Sequence, residues 1–169
     1  MGSSARKTPL PAIGVALLVA LLVAVPALAA EGEAELTRDQ YVAKLEPICK
    51  ANTRANSRIL KGVKGQVQRG KLGPAGKRFI RASGALGRSV RTMARVPRPA
   101  ADTTKLSKWF GYLMREKRFL QLIGKSLKSG NKFKAQKLAV KLNRNNNQAN
   151  NTVISFGFRE CRIDSSRFI

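Results

Sequence analysis

Two cysteines and no histidine limit the chemistry open to this chain. Without an imidazole it cannot build a Ser-His-Asp triad, a Cys-His dyad or a histidine-ligated metal site. Only Glu46, Asp102 and Glu116 are acidic between positions 41 and 159, and a two-carboxylate site needs a pair within about 5 to 10 Å. The sequence therefore predicts a protein that is not an enzyme and that uses no metal or other cofactor.

The two cysteines lie at opposite ends of the part of the chain expected to fold. Cys49 belongs to YVAKLEPICK and Cys161 to GFRECR. Redox-active or metal-binding thiols are the alternative, but no C-x-x-C spacing exists, and a structural disulfide is predicted. It would close a loop of 112 residues, which stabilises a fold by roughly 4 to 5 kcal/mol on the chain-entropy model.

The first 29 residues have the order of a secretory signal. Arg6 and Lys7 precede an uncharged, largely apolar run at residues 8–30. The run contains Ala-Leu-Ala at positions 27–29, the small-residue pattern after which signal peptidases cleave. The alternative is an uncleaved anchor, because the run is long enough to span a bilayer of roughly 30 Å. Either way the rest of the chain is expected to be secreted or in the extracytoplasmic cell envelope.

Cleavage after Ala29 would leave a short, acidic, flexible segment at residues 30–36 and one domain at residues 37–169. Loss of Arg6 and Lys7 would change the net charge only from +24 to +22, the second value following from the two residues removed. The oxidising compartment favours the disulfide between the two cysteines.

The spacing of apolar residues predicts an all-α domain of four amphipathic helices. The first begins at the capping-box pair Thr37 and Gln40, and Pro47 predicts a kink or a short initial helix. It is expected to end at the glycines and proline of GKLGPAG, residues 70–76. The later helices are expected to stop before Pro97, at residues 129–131 and at Gly157.

Short connectors between four such helices favour an antiparallel up-down bundle. In that arrangement the beginning of the first helix lies beside the end of the last helix. Cys49 and Cys161 would then meet, so that the disulfide links the first helix to the C-terminal segment.

The residues at the two ends of the domain also resemble a known group of proteins. Tyr41 with Ile48-Cys49, and Gly157-Phe158 with Cys161, resemble small, uncharacterised secreted helical proteins of actinobacteria. Those proteins carry a tyrosine-initiated first helix and a G-F-x-x-C ending. The chain differs from them in its basicity and in continuing beyond Cys161. The resemblance implies export and the disulfide, and no substrate.

Basic residues recur about once per turn on the predicted helices, opposite the apolar side. We call these residues the basic rows. The rows comprise Lys50, Arg54, Arg58 and Lys61 in the first helix, Lys77, Arg81, Arg88, Arg91 and Arg95 in the second, and Lys134, Lys137, Lys141 and Arg144 in the fourth.

A solvated helix face is the ordinary explanation of such spacing. However, the net charge of +24 exceeds the value of about 2 to 8 that solubility requires, and like charges one turn apart repel. The rows therefore predict binding to anionic cell-envelope polymers or anionic membrane surfaces, with non-specific nucleic acid as a further partner. The alternative is a structural or partner-binding envelope protein without a polyanion role.

Two polar or aromatic clusters remain. The tract NRNNNQANN, residues 143–151, should turn Asn145 or Asn146 inward, where a buried amide fixes helix register or lines a small polar pocket. Trp109, Phe110 and Tyr112 are expected in the core, with anchoring at a membrane interface as the alternative.

Overall fold

The computed structural model describes residues 35–163, all within the compact unit Glu33–Ile169. The predicted signal segment, residues 1–29, lies outside the described residues. The described chain is helical and contains no strand, so the all-α prediction is confirmed. Its helices are α1 (Arg38–Leu60), α2 (Val63–Gln68), α3 (Leu72–Met93), α4 (Thr103–Lys128) and α5 (Lys132–Thr152), with short 3₁₀ helices at Ala100–Asp102 and Ile154–Phe156.

Helix α1 begins at the predicted capping box. The Gln40 amide donates to Thr37 Oγ1 at 3.3 Å, and the Thr37 amide donates to Gln40 Oε1 at 2.9 Å. The helix is continuous through Pro47, so the short initial helix, one of the two alternatives, is wrong, and the kink stays a prediction.

Helix α1 ends earlier than the sequence predicts. Gly62 adopts a left-handed conformation, with φ of +75°, and separates α1 from the unpredicted helix α2. Most of the supposed breaker at residues 70–76 belongs to the first turns of α3. There Pro74 is tolerated because the N–H it lacks would have no partner within the helix.

Two of the remaining boundaries follow the predicted signals, but α5, which was expected to end at Gly157, ends at Thr152. Helix α3 stops before the Pro97 segment, and α4 ends shortly before Gly130, which has φ of +76°. The Asn131 side chain then accepts a hydrogen bond from the Lys134 amide at 2.8 Å, which caps α5.

The helices pack in chain order: α1 contacts α3, α3 contacts α4, and α4 contacts α5. Phe79 and Leu86 of α3 and Leu113 and Leu120 of α4 are buried at these contacts. Trp109, Phe110 and Tyr112 are buried too, so their core placement is confirmed and they do not form a surface anchor.

The inward face of α1 includes a cysteine and a polar residue. Tyr41 and Leu45 are buried, and Cys49 and Asn56 continue the same stripe, while Ile48 and Ile59 are only partly buried. This register has a physical reason, since Cys49 must face the core to reach Cys161.

The disulfide between Cys49 and Cys161 is confirmed. The two sulfurs lie 2.03 Å apart, and the Cα atoms are separated by 4.9 Å. The bond joins the middle of α1 to the segment that follows the last 3₁₀ helix, so the predicted link between the first helix and the C-terminal segment is confirmed.

Helices α3 and α4 approach each other at a glycine pair. A Cβ atom on Gly124 would lie 2.6 Å from the carbonyl oxygen of Gly76, and one on Gly76 would lie 2.5 Å from the carbonyl oxygen of Gly124. Neither backbone can yield without moving its whole helix, so both positions require glycine.

We expect Gly124→Ala to lower the free energy of unfolding by roughly 1 to 3 kcal/mol, because the added methyl group overpacks the contact with α3. Gly111→Ala is the matched control on the same helix, since nothing lies within 4 Å of its Cβ position. It should stabilise α4 by up to about 1 kcal/mol through helix propensity. Urea unfolding of both variants checks this; equal effects would contradict the close approach.

We expect the double variant Cys49→Ser/Cys161→Ser to lose roughly 2 to 5 kcal/mol of unfolding free energy, because the long loop is no longer closed in the unfolded chain. Replacing both residues avoids a lone reactive thiol. Denaturant unfolding of the oxidised protein and the variant measures the loss. An unchanged midpoint and slope would show that the bond does not stabilise the fold.

Candidate functional site

All thirteen residues of the basic rows are exposed at the surface. The longest row lies on α3 and the turn after it, and contains four arginines, Arg81, Arg88, Arg91 and Arg95. Within the described residues, Lys50 is the row member that has an acidic neighbour, with Nζ 3.9 Å from Glu160 Oε1. The rows are therefore accessible to an external anion.

Asp102 forms an ion pair with an arginine that is distant in sequence. Its carboxylate accepts hydrogen bonds from Nε and Nη2 of Arg38, both at 2.8 Å. The Arg38 guanidinium holds the pKa of Asp102 below its ordinary value, chiefly through this hydrogen bond. Asp102 occupies the cap position of α4 without bonding the helix amides, because its carboxylate binds Arg38 instead.

Glu46 binds backbone rather than a basic side chain. Its two carboxylate oxygens accept hydrogen bonds from the amides of Arg159 and Glu160, at 2.7 and 2.8 Å. This contact attaches the C-terminal segment, residues 158–163, to α1. The acidic group is thus used to position that segment.

The Asn145–Asn146 pair is buried between helices. Asn145 Nδ2 donates to the Tyr112 carbonyl at 3.0 Å and to Asn146 Oδ1 at 3.2 Å, which fastens α5 to α4. Asn146 Nδ2 has no hydrogen-bond partner among the described residues. The polar pocket considered for this pair stays a prediction, and neither residue lines the cavity described next.

A cavity of about 160 Å³ lies between the helices and the C-terminal segment and is partly open to solvent. Its walls come from α1, α3, α4 and α5 and are mainly apolar, with Phe79, Leu86, Leu113 and Leu142 among them. Residues 159–163 of the C-terminal segment form another wall. The disulfide therefore borders the cavity and holds that wall in place.

Three buried side chains on the cavity wall have unpaired polar atoms. Asn56 Oδ1, Trp109 Nε1 and Glu116 Oε2 find no hydrogen-bond partner among the described residues. Their residues are 8%, 0% and 9% exposed. An unpaired buried polar group costs roughly 1 to 3 kcal/mol, so these three side chains lower the stability of the fold.

Glu116 is the most unusual member of the wall. Burial raises the pKa of its carboxyl to about 8, because an ion is poorly solvated in an apolar surrounding. The two ion pairs seen among the described residues involve other acids. Glu116 is therefore mainly protonated at neutral pH.

The sequence identifies Glu116 as one of the few acids in the centre of the chain, but its burial was not predicted. A signal was present in its spacing. It stands three residues after Leu113 and four before Leu120, on the inward stripe of α4. The burial was missed because a charged side chain is ordinarily assigned to the solvent-facing side of a helix.

No protein-family model, curated protein or solved structure matches this chain. The resemblance to secreted actinobacterial proteins accordingly stays a prediction. None of the helices between residues 35 and 163 has the length and apolar character needed to cross a bilayer.

We expect the unfolding free energy to fall as the pH rises from about 5 to 8. Burial shifts the pKa of Glu116 from 4.5 to about 8. Below pH 4.5 the carboxyl is protonated in both the folded and the unfolded state, and the fold has its full stability. As the pH rises towards 8, the unfolded state loses this proton more readily than the folded state, so the free energy of unfolding falls. The slope should reach about 1.4 kcal/mol per pH unit. Urea unfolding at several pH values measures it.

The matched variant is Glu116→Gln, which keeps the side-chain shape and cannot ionise. Its stability should depend less steeply on pH, and above pH 8 it should be more stable than the unmodified protein. Identical pH profiles for the two proteins would contradict a buried, proton-retaining carboxyl.

Proposed function

We propose that this protein is exported, folds as an antiparallel up-down bundle, and binds phosphate-bearing polymers of the cell envelope through its basic rows. The observation that carries the proposal is the exposure of every row residue while Asp102, Glu46 and Glu116 are engaged or buried within the domain. The positive charge of the basic rows is therefore mostly not neutralised within the domain and is available to an external partner.

Two contacts along α1 support the antiparallel arrangement. At the middle of α1, Cys49 Sγ lies 3.5 Å from Met93 Sδ, at the end of α3. Near its end, the Lys61 carbonyl accepts a hydrogen bond from Arg78, close to the beginning of α3. This order of contacts is the one expected of two helices that run in opposite directions. A similar order relates α3 to α4, where Gly76 lies against Gly124 and Gly87 lies against Lys117.

The arginines of α3 and its following turn are the strongest candidates for phosphate contact. Arg81, Arg88, Arg91 and Arg95 have no acidic ion-pair partner in the described chain. A guanidinium group presents a rigid fork of donors that matches two phosphate oxygens. Repulsion among these charges disfavours the compact fold unless counter-ions or a polyanion offset it.

An anionic lipid surface is a second candidate, favoured by the exposed side of α5. Phe133 and Val140 are 67% and 65% exposed, and Lys137 Nζ lies 4.3 Å from the centre of the Phe133 ring. Apolar and cationic groups in alternation suit the boundary between headgroups and acyl chains. The polymer is preferred because the rows extend over α1 and α3 as well.

We expect the protein to bind inorganic polyphosphate with an affinity that falls linearly with salt on logarithmic axes, because binding releases counter-ions. Replacing Arg81, Arg88, Arg91 and Arg95 with glutamine should reduce the salt slope by about 0.7 to 0.9 for each phosphate that is no longer neutralised. Fluorescence anisotropy at several salt concentrations measures the slope.

The matched control replaces four exposed basic residues of α4 with glutamine: Lys105, Lys108, Arg118 and Lys125. It removes the same charge and should reduce the slope less. Affinity independent of salt would contradict polyanion binding, and equal reductions in both variants would contradict the α3 site. Binding to anionic vesicles without binding to polyphosphate would favour the lipid surface.

A further inference from the structure

We propose that the cavity binds the apolar tail of a small carboxylate, about six carbon atoms long, whose charged head lies at the open side beside Arg159 and Arg162. The tail lies among leucine and phenylalanine side chains, and the head stays in contact with solvent. Neither arginine belongs to the basic rows, so the proposal does not depend on polymer binding.

The volume and the lining of the cavity define the tail. At about 160 Å³, the cavity is comparable to an engineered apolar cavity of about 150 Å³ that accommodates benzene, a molecule of six carbon atoms. Phe79, Leu86 and Leu120 line it and are 4%, 3% and 5% exposed, so part of each remains accessible to an occupant. An apolar tail that covers this surface removes it from water, which favours binding.

The open side of the cavity is polar and positively charged. Arg159 and Arg162 line it and are exposed, and the two ion pairs found among residues 35–163 involve neither of them. Asn52 and Thr53 of α1 also line the cavity and are partly exposed. Because the apolar lining residues are buried, these four residues mark the side at which a ligand enters and at which its head group stays.

A single negative charge suits this open side. A guanidinium group presents a planar fork of donors that matches the two oxygens of a carboxylate. Glu160 lines the same side, with Oε1 3.9 Å from Lys50 Nζ, and disfavours the higher negative charge of a phosphate monoester. Glu116 does not repel the ligand, because burial raises the pKa of its carboxyl to about 8 and keeps it mainly protonated at neutral pH.

Methyl NMR of the oxidised protein locates the tail directly. The methyl signals of Leu86 and Leu120 are followed during titration with unbranched carboxylates from butanoate to dodecanoate. We expect saturable shifts and an affinity that rises about fourfold with each added methylene group up to about octanoate. Longer chains should bind no more tightly, because the cavity is then full.

The head group is tested by comparing octanoate with octanol, octylammonium and octyl phosphate. Octanoate should bind about two- to fivefold more tightly than octanol, the value expected of an exposed ion pair. Octylammonium should bind more weakly than octanol, because the two guanidinium groups repel it. Octyl phosphate should bind no more tightly than octanoate.

Two double variants test the role of the arginines. Arg159→Gln/Arg162→Gln should bind octanoate no more tightly than octanol, because the positive charge beside the head group is removed. Lys108→Gln/Arg118→Gln is the matched control, since it removes the same charge from exposed positions of α4 that do not line the cavity, and it should keep the preference for octanoate. Circular dichroism establishes that each variant is folded, and the chain-length series on the unmodified protein needs no variant.

Each other outcome overturns the proposal in a distinct way. Equal affinity for butanoate and octanoate, or unchanged signals of Leu86 and Leu120, would mean that anions bind the surface charges and leave the cavity empty. An affinity that keeps rising to dodecanoate would mean that the chains associate with an exposed apolar surface. Tightest binding of octanol, octylammonium or octyl phosphate, or equal losses in the two double variants, would mean that the arginines do not select a carboxylate.

Discussion

The disulfide between Cys49 and Cys161 is the constraint on which the arrangement of this domain depends. It attaches the C-terminal segment to α1 in cooperation with Glu46, whose carboxylate binds two backbone amides of that segment. Asn150 adds a third attachment, since its side chain bonds both the N–H and the C=O of Ile163, at 2.8 and 2.9 Å. Together these contacts hold one wall of the cavity in place.

The distribution of acidic groups explains how so basic a chain presents an almost uniformly positive surface. Asp102 joins Arg38 across 64 positions of sequence, which ties the start of α1 to the turn before α4. Glu46 binds the C-terminal segment, and Glu116 is buried. The few acids in the centre of the chain are thus used in positioning or buried in the core, while the basic rows lie on the outside.

Local signals account for the parts of the fold that were predicted correctly. Helical periodicity and the glycine or proline that follows each helix define α3 and α4, and the capping box defines the start of α1. Contacts between distant elements account for the rest. The inward register of α1 depends on the bond at Cys49, and the closeness of α3 and α4 depends on two glycines, Gly76 and Gly124, far apart in sequence. The burial of Glu116 was missed because its charge favours solvent, although its spacing belongs to the core.

Amide hydrogen exchange with and without a reductant tests most directly whether the disulfide holds the C-terminal segment against the core. In the oxidised protein the amides of Arg159, Glu160 and Ile163 should exchange slowly. Reduction should accelerate them while the amides of Leu113 and Leu120 in α4 stay protected, because local opening precedes global unfolding. Equal exchange of the segment before and after reduction would contradict the account.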